Sequence, residues 1–237
     1  MANDAFNFMS SSLASIDQDK DKSLWNRMMP FVGKLRRIDK KTSAIATLSC
    51  FMYHKSAPLL LSTGHILLDN PSVLTSPFRS PSDFEFEVTY FSGGFTELVE
   101  FVAIPPTPST VTTSATPLPK PNVAVFRGTR TPKASFGGTV CGLGDKVYVL
   151  GFCPTSEGIF ASTGHVSTMN LDETIGMISG YADPGFSGSP VANVRGSVVG
   201  IVQGSAGVEN HYVRIETASR IQDFLLGNGL PGFEKGL

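Results

Sequence analysis

The sequence predicts an all-β fold. Its 24 glycines and 16 prolines punctuate many short Val-, Thr- and Phe-bearing runs, as frequent turns between strands require. Beyond residue 43 the apolar positions recur at the short period of strands rather than of helices. At 237 residues and 41% hydrophobic content the chain can bury the core of one large β domain or two small subdomains.

Taken in order, residues 1–35 read as a polar N-terminal arm whose segment 23–32 is amphipathic and helical up to or across Pro30. Lys34, Arg36, Arg37, Lys40 and Lys41 form a basic cluster without interleaved aromatics, which reads as a solvated surface. Strands follow at 44–52, 58–62 and 84–91, and Ser92-Gly93-Gly94 turns a hairpin into 96–104. The Pro-, Thr- and Ser-rich stretch 105–121 has little to bury and reads as a surface loop. One more strand at 123–126 closes the first β unit, taken as 36–127. The second unit, 128–237, opens with a connection at 128–138. Its strands fall at 147–152, 158–162, 177–181, 190–192, 197–203 and 212–215. Ile221, Phe224 and Leu225 then repeat at helical spacing, and Gly227 stops that helix.

A net charge of −1 gives no bulk attraction to nucleic acid or to an anionic membrane. The first twenty residues lack the basic start and apolar core of a secretory signal, and no apolar run reaches membrane-spanning length. The expectation is therefore an intracellular, cytoplasmic protein. Cys50, Cys141 and Cys153 are odd in number and sit in or beside apolar runs, as buried free thiols do, so no disulfide framework is expected. The chain has no Cys-x-x-Cys, no His-Glu-x-x-His and no glycine-rich loop ending in Gly-Lys-Ser/Thr. Neither a metal nor an organic cofactor is expected.

The segment Asp183-Pro184-Gly185-Phe186-Ser187-Gly188-Ser189-Pro190-Val191 sets a serine between glycines in a tight turn. Glycine allows backbone conformations that a Cβ forbids, so the amides of Gly185 and Ser187 can converge on a developing oxyanion. The same string also occurs in ordinary hairpin turns. A serine hydroxyl needs a base within hydrogen-bond reach, and two histidines compete for that role. His65 ends an apolar strand in Ser62-Thr63-Gly64-His65, and His165 lies in the near copy Ser162-Thr163-Gly164-His165. His54 and His211 read as surface or strand histidines.

The order strand-Ser-Thr-Gly-His, hairpin, Val123-Ala124-Val125-Phe126, then Gly185-Phe186-Ser187-Gly188-Ser189-Pro190 resembles the chymotrypsin-fold serine peptidases, especially the disulfide-free HtrA-like and viral or bacterial members. The resemblance covers about 44–226. It implies two six-stranded antiparallel β-barrels of the trypsin-like type with a C-terminal helix, the first barrel ending near Arg127 and the second starting near Ala134. It puts the base on His65, the nucleophile on Ser187 and the oxyanion hole on the Gly185 and Ser187 amides, and leaves His165 as a strand residue. The strand from Gly200 to Ser205 would pair with an extended peptide substrate, and Tyr181, Gln203, Gly204, Ser205 and Asn210 would line the substrate cleft. No acidic residue falls at the pocket positions, which argues against a Lys or Arg preference and for a small or medium apolar side chain.

Two departures qualify the resemblance. The family sets an aspartate before the Val-Ala-Val strand, where this chain has Asn122. The carboxylate fixes the histidine tautomer and stabilises the imidazolium, and in the best-studied member its exchange for Asn lowers kcat by about 10⁴. Another carboxylate could replace it, with Asp69, Asp83, Glu85 or Glu97 as candidates. Alternatively the enzyme runs on a Ser–His pair, or the chain is a catalytically silent module that binds peptides or a partner in the same cleft. The second departure is Phe186, where zymogen-type members carry an aspartate that binds a newly cut N-terminus. Activation by such a cleavage is not expected.

Overall fold

The computed structural model describes residues 18–54, 57–71, 76–104, 122–130, 137–153, 158–169, 175–179, 185–206 and 212–233. Its first sheet contains β1 (Val32–Asp39), β2 (Ile45–Met52), β3 (Leu59–Ser62), β4 (Phe84–Tyr90), β5 (Thr96–Leu98), β6 (Glu100–Ala103) and β7 (Ala124–Arg127). The order is β5-β4-β1-β2-β3-β7-β6, antiparallel throughout. In β4 the sequence Phe-Glu-Phe-Glu-Val-Thr-Tyr alternates, so Phe84, Phe86, Val88 and Tyr90 face inward. They meet Leu35, Leu48, Leu60 and Phe126 in one core. Each such fully buried side chain stabilises the fold by roughly 1.5–3 kcal/mol.

Two details differ from the sequence reading. The single strand expected at 96–104 breaks at Val99, whose N–H donates to Phe86 O while its neighbours change partner from β4 to β7. The six strands expected of the first barrel are thus counted as seven, and the two halves of the split strand, β5 and β6, form the two ends of the sheet order. The basic cluster is also not simply a solvated surface, because β1 carries it. Arg37 points inward, 4% exposed, donates to Ile66 O at 2.9 Å and to Leu68 O, and lies over the Phe84 ring. Burial of that guanidinium is tolerated because carbonyls and an aromatic face replace its water.

The second unit is a closed six-stranded barrel of β8 (Lys146–Cys153), β9 (Gly158–Met169), β10 (Ile175–Ser179), β11 (Pro190–Asn193), β12 (Val198–Ala206) and β13 (Tyr212–Thr217). Its order is β10-β13-β12-β11-β8-β9, around Val147, Val149, Phe186, Val191, Val202, Val213 and Ile215. His165 is a β9 residue opposite Lys146 and Ser179, the strand position expected of it.

Helix α1 (Gln18–Met28) starts earlier than the amphipathic segment suggested and buries Leu24, Trp25 and Met28. Trp25 meets Tyr148 of β8 edge-on at 5.2 Å. The C-terminal helix α2 (Ala218–Gly227) buries Ile221, Phe224 and Leu225 in the same cluster. Asn228 ends it, donating from its side chain to Phe224 O at 2.7 Å. That cluster also takes Phe51, Leu59, Leu61 and Val125 from the outer face of the first sheet, so one apolar core fixes the two β units against each other. Among the described residues no helix is long and apolar enough to cross a membrane.

Candidate active site

His65 is delivered by β3 into a short 3-10 turn, Gly64–Leu67, and is 4% exposed. Strand β3 pairs with β7 so that Ser62 faces Ala124. Continuing that antiparallel register brings Asn122 opposite Gly64, beside His65. Asn122 Nδ2 lies 3.1 Å from His65 Nδ1. A Cβ on Gly64 would come within 3.0 Å of Asn122 Oδ1, so the absence of a side chain there lets the amide reach the ring.

The backbone of Asn122 is held from the second barrel. Its N–H donates to Glu216 Oε2 at 3.2 Å, and its carbonyl accepts from Gln203 Nε2 at 3.2 Å. Glu216 pairs with Arg220 at 3.0 Å, both side chains being largely buried. Gln203 occupies a register shift between Val202 and Gly204, and this bulge lifts it out of the β12–β13 ladder. Its freed carbonyl accepts from Ser187 Oγ at 3.3 Å.

The serine loop is shaped by what lies on either side of Ser187. Phe186 is 1% exposed and packs into the second barrel core, while Ser187 is half-buried and turns toward the cleft. Gly185 and Gly188 adopt φ of +101° and +89°, a region that side chains other than glycine rarely tolerate. A Cβ on Gly188 would also lie 2.0 Å from Ser49 O. No hydrogen bond joins Ser187 to His65. The other ring nitrogen, Nε2, contacts Thr63 Oγ1 at 3.3 Å.

A trypsin-like peptidase domain model matches residues 49–201. The chain belongs to that family. The fold is the chymotrypsin-like one, and solved structures share it at low sequence identity. The Rv3671c protease of M. tuberculosis in its active form is 16% identical, covers 94% of this chain and 92% of its own, and has a TM-score of 0.66. A serine endoprotease from Yersinia pestis is 12% identical with a TM-score of 0.65, covering 91% of this chain and 68% of its own. The HtrA-type protease AlgW, solved with a tripeptide, is 13% identical with a TM-score of 0.62, covering 88% of this chain and 64% of its own. No curated protein matches the sequence.

Within this trypsin-like domain the surroundings of His65 are dry. Burial alone pulls the His65 pKa down to about 4, because desolvation penalises the imidazolium. An asparagine amide that donates to Nδ1 leaves the ring proton on Nε2, where Thr63 Oγ1 accepts it. Of the carboxylates considered from the sequence, Asp69 pairs with Arg79, and Glu97 takes Tyr90 and Thr129. Asp83 also faces Arg79, and Glu85 lies on β4 paired opposite Ile38. The carboxylate that touches Asn122 is Glu216, which the sequence reading missed. Its one local signal is the spacing to Arg220, which ordinarily marks an exposed helix pair. Of the expected cleft residues, Gly204 and Ser205 lie on β12 opposite Arg214 and Val213. Tyr181 and Asn210 lie outside the described residues.

Proposed function

We propose that this protein is a serine endopeptidase in which Ser187 attacks the scissile carbonyl and His65 takes and returns the proton. The Gly185 and Ser187 amides would hold the oxyanion, and Asn122 fills the orienting position. The observation that carries this reading is the Asn122–His65 contact at 3.1 Å, on the ring nitrogen a family aspartate would hold. Among the described residues β12 has an edge that an extended peptide substrate could join. Strand β12 pairs with β11 from Val198 to Ile201, and from Gly204 to Ala206 its described ladder runs to β13 alone.

For His65 to act as base, Nε2 must carry a lone pair toward Ser187. A half-turn of the Asn122 amide would let Oδ1 accept from Nδ1–H and free Nε2, and among the described residues no donor holds Oδ1 in place. The competing reading is a silent peptide-binding module, favoured by the Thr63 contact that occupies Nε2 and by the absent Ser187–His65 hydrogen bond. Fluorophosphonate labelling separates the two. A covalent adduct on Ser187 that disappears in Ser187→Ala supports the peptidase, and labelling rises steeply in Asn122→Asp. A folded protein that stays unlabelled in both the native and Asn122→Asp forms supports the module.

A further inference from the structure

Ser49 lies on β2, 136 residues before the serine loop, on the face of the first sheet that also presents Phe51 to the second barrel. It is fully buried, and each of its polar groups is committed. Its N–H donates to Ser187 O at 2.8 Å and its hydroxyl donates to Gly185 O at 2.8 Å. The same hydroxyl accepts from Phe152 N–H at 2.8 Å, and the Ser49 carbonyl accepts from Ser62 Oγ at 2.7 Å. One small residue thus links β2, β3 and β8 to the serine loop, its hydroxyl reaching Gly185 and β8 and its carbonyl reaching β3.

The pattern of those bonds determines where the loop amides point. In a trans peptide the N–H lies opposite the C=O. Fixing Ser187 O on Ser49 sends the next amide, Gly188 N–H, the other way, onto Val202 O at 2.9 Å. The peptide between is fixed too, since Phe186 O accepts from Ser189 N–H at 2.8 Å. The carbonyls of residues 185, 186 and 187 are all engaged, and among the described residues the N–H groups of Gly185, Phe186 and Ser187 take no acceptor; the Ser187 N–H belongs to the peptide whose carbonyl Ser189 holds. It is one of the two donors an oxyanion would need. Among the described residues the Ser49 hydroxyl is the donor on the Gly185 carbonyl, at a glycine whose φ of +101° lies in a region that other residues rarely adopt.

We propose that Ser49 is a positioning residue for the oxyanion loop. Its hydroxyl locks the Gly185 peptide, its amide locks the Ser187 peptide, and the Ser187 N–H stays presented before any substrate arrives. The catalytic consequence rests on the serine-peptidase reading; the tether itself does not.

The test compares Ser49→Ala with Ser49→Thr, which keeps the hydroxyl. Removing one oxyanion donor directly costs about 10²–10³ in rate. Losing a tether one bond away should cost about tenfold to a hundredfold in phosphonylation of Ser187. Affinity for a peptide aldehyde, which forms the oxyanion, should fall by the same factor, while affinity for an uncleaved peptide stays within twofold. Ser49→Thr should restore the rate. Hydrogen exchange supplies a second readout, with the Gly188 and Ser189 amides exchanging faster in Ser49→Ala and not in Ser49→Thr. Parent-like rates and exchange in Ser49→Ala would overturn the proposal, as would equal losses of aldehyde and peptide binding. If neither the parent nor Asn122→Asp reacts yet exchange changes as stated, the tether stands and the peptidase reading fails. Should Ser49→Ala not fold, Ser49→Cys carries the comparison, and its matching the parent in both readouts overturns the proposal.

Discussion

Asn122 Nδ2 stands 3.1 Å from His65 Nδ1, so a neutral amide occupies the side of the ring on which the family's mechanism uses a carboxylate. The backbone of Asn122 is held on both sides of that contact. Gly64 leaves room for the amide, and Glu216 and Gln203 clamp its backbone from the opposite barrel. The contact between the histidine and residue 122 is present, while a carboxylate charge at residue 122 is missing.

The pH dependence of labelling follows from that missing charge. Burial holds the His65 pKa near 4, so the rate of Ser187 phosphonylation in the native protein should hold its plateau down to about pH 5. An aspartate at position 122 favours the imidazolium, so in Asn122→Asp the acid limb should move up by a unit or more as the plateau rises by about 10²–10⁴. Rates measured from pH 4 to 9 decide it. A limb that stays in place with no gain in rate means that residue 122 does not orient His65.

Gly64→Ala probes the same contact sterically. The added methyl would meet Asn122 Oδ1 at 3.0 Å and Ile104 Cδ1 at 3.1 Å, so the amide must shift by a few tenths of an ångström. Because φ at Gly64 falls outside the left-handed region, the backbone itself tolerates alanine. Stability should therefore change by no more than about 1 kcal/mol, while labelling of an Asn122→Asp, Gly64→Ala protein drops severalfold below Asn122→Asp. Equal labelling of the two would mean that the position of the residue 122 side chain is not critical.

Much of the fold could be read from the chain because strands such as Phe84–Tyr90 alternate cleanly, and because Phe186 and the flanking glycines announce the serine loop. What escaped did so for physical reasons. Strand β1 escaped because its inward positions hold Arg37 and Asp39, which break the apolar alternation and are satisfied by the carbonyls of Ile66 and Leu68, by the Lys41 and Thr42 amides and by Arg79. The break at Val99 is invisible locally, since it is a change of hydrogen-bond partner rather than of residue type. Ser49 and Glu216 act through residues far away in sequence, and short polar side chains in strands carry no period that marks such a contact.

Glu216 and Arg220 are a buried pair, and removing one partner leaves the other charge dry. Glu216→Leu should lower unfolding free energy by about 3–5 kcal/mol, with much of it recovered in the double variant Glu216→Leu, Arg220→Leu. Urea titrations of the four proteins of this cycle measure the coupling. The double variant still lacks the acceptor for the Asn122 N–H, so its Ser187 labelling should stay below that of the parent even where stability returns. Full recovery of labelling would show that the clamp on Asn122 is dispensable.

Acid stability gives an independent measure of how dry His65 is. The unfolded chain takes a proton on this histidine near pH 6.5, whereas the folded protein resists it down to about pH 4. Sign and window follow: the contribution is complete above about pH 6.5 and is lost as pH falls toward 4, because the unfolded state binds the proton first. Asp39 also loses stability in acid, since the Thr42 N–H and Arg79 hold its carboxyl far below the usual range, but that loss begins below its ordinary value near 3.8. Comparing the native protein with His65→Gln between pH 7 and 4.5 isolates the histidine. The native protein should lose stability more steeply over that interval. Parallel curves would mean that His65 meets solvent, and that its burial in the 3-10 turn is wrong.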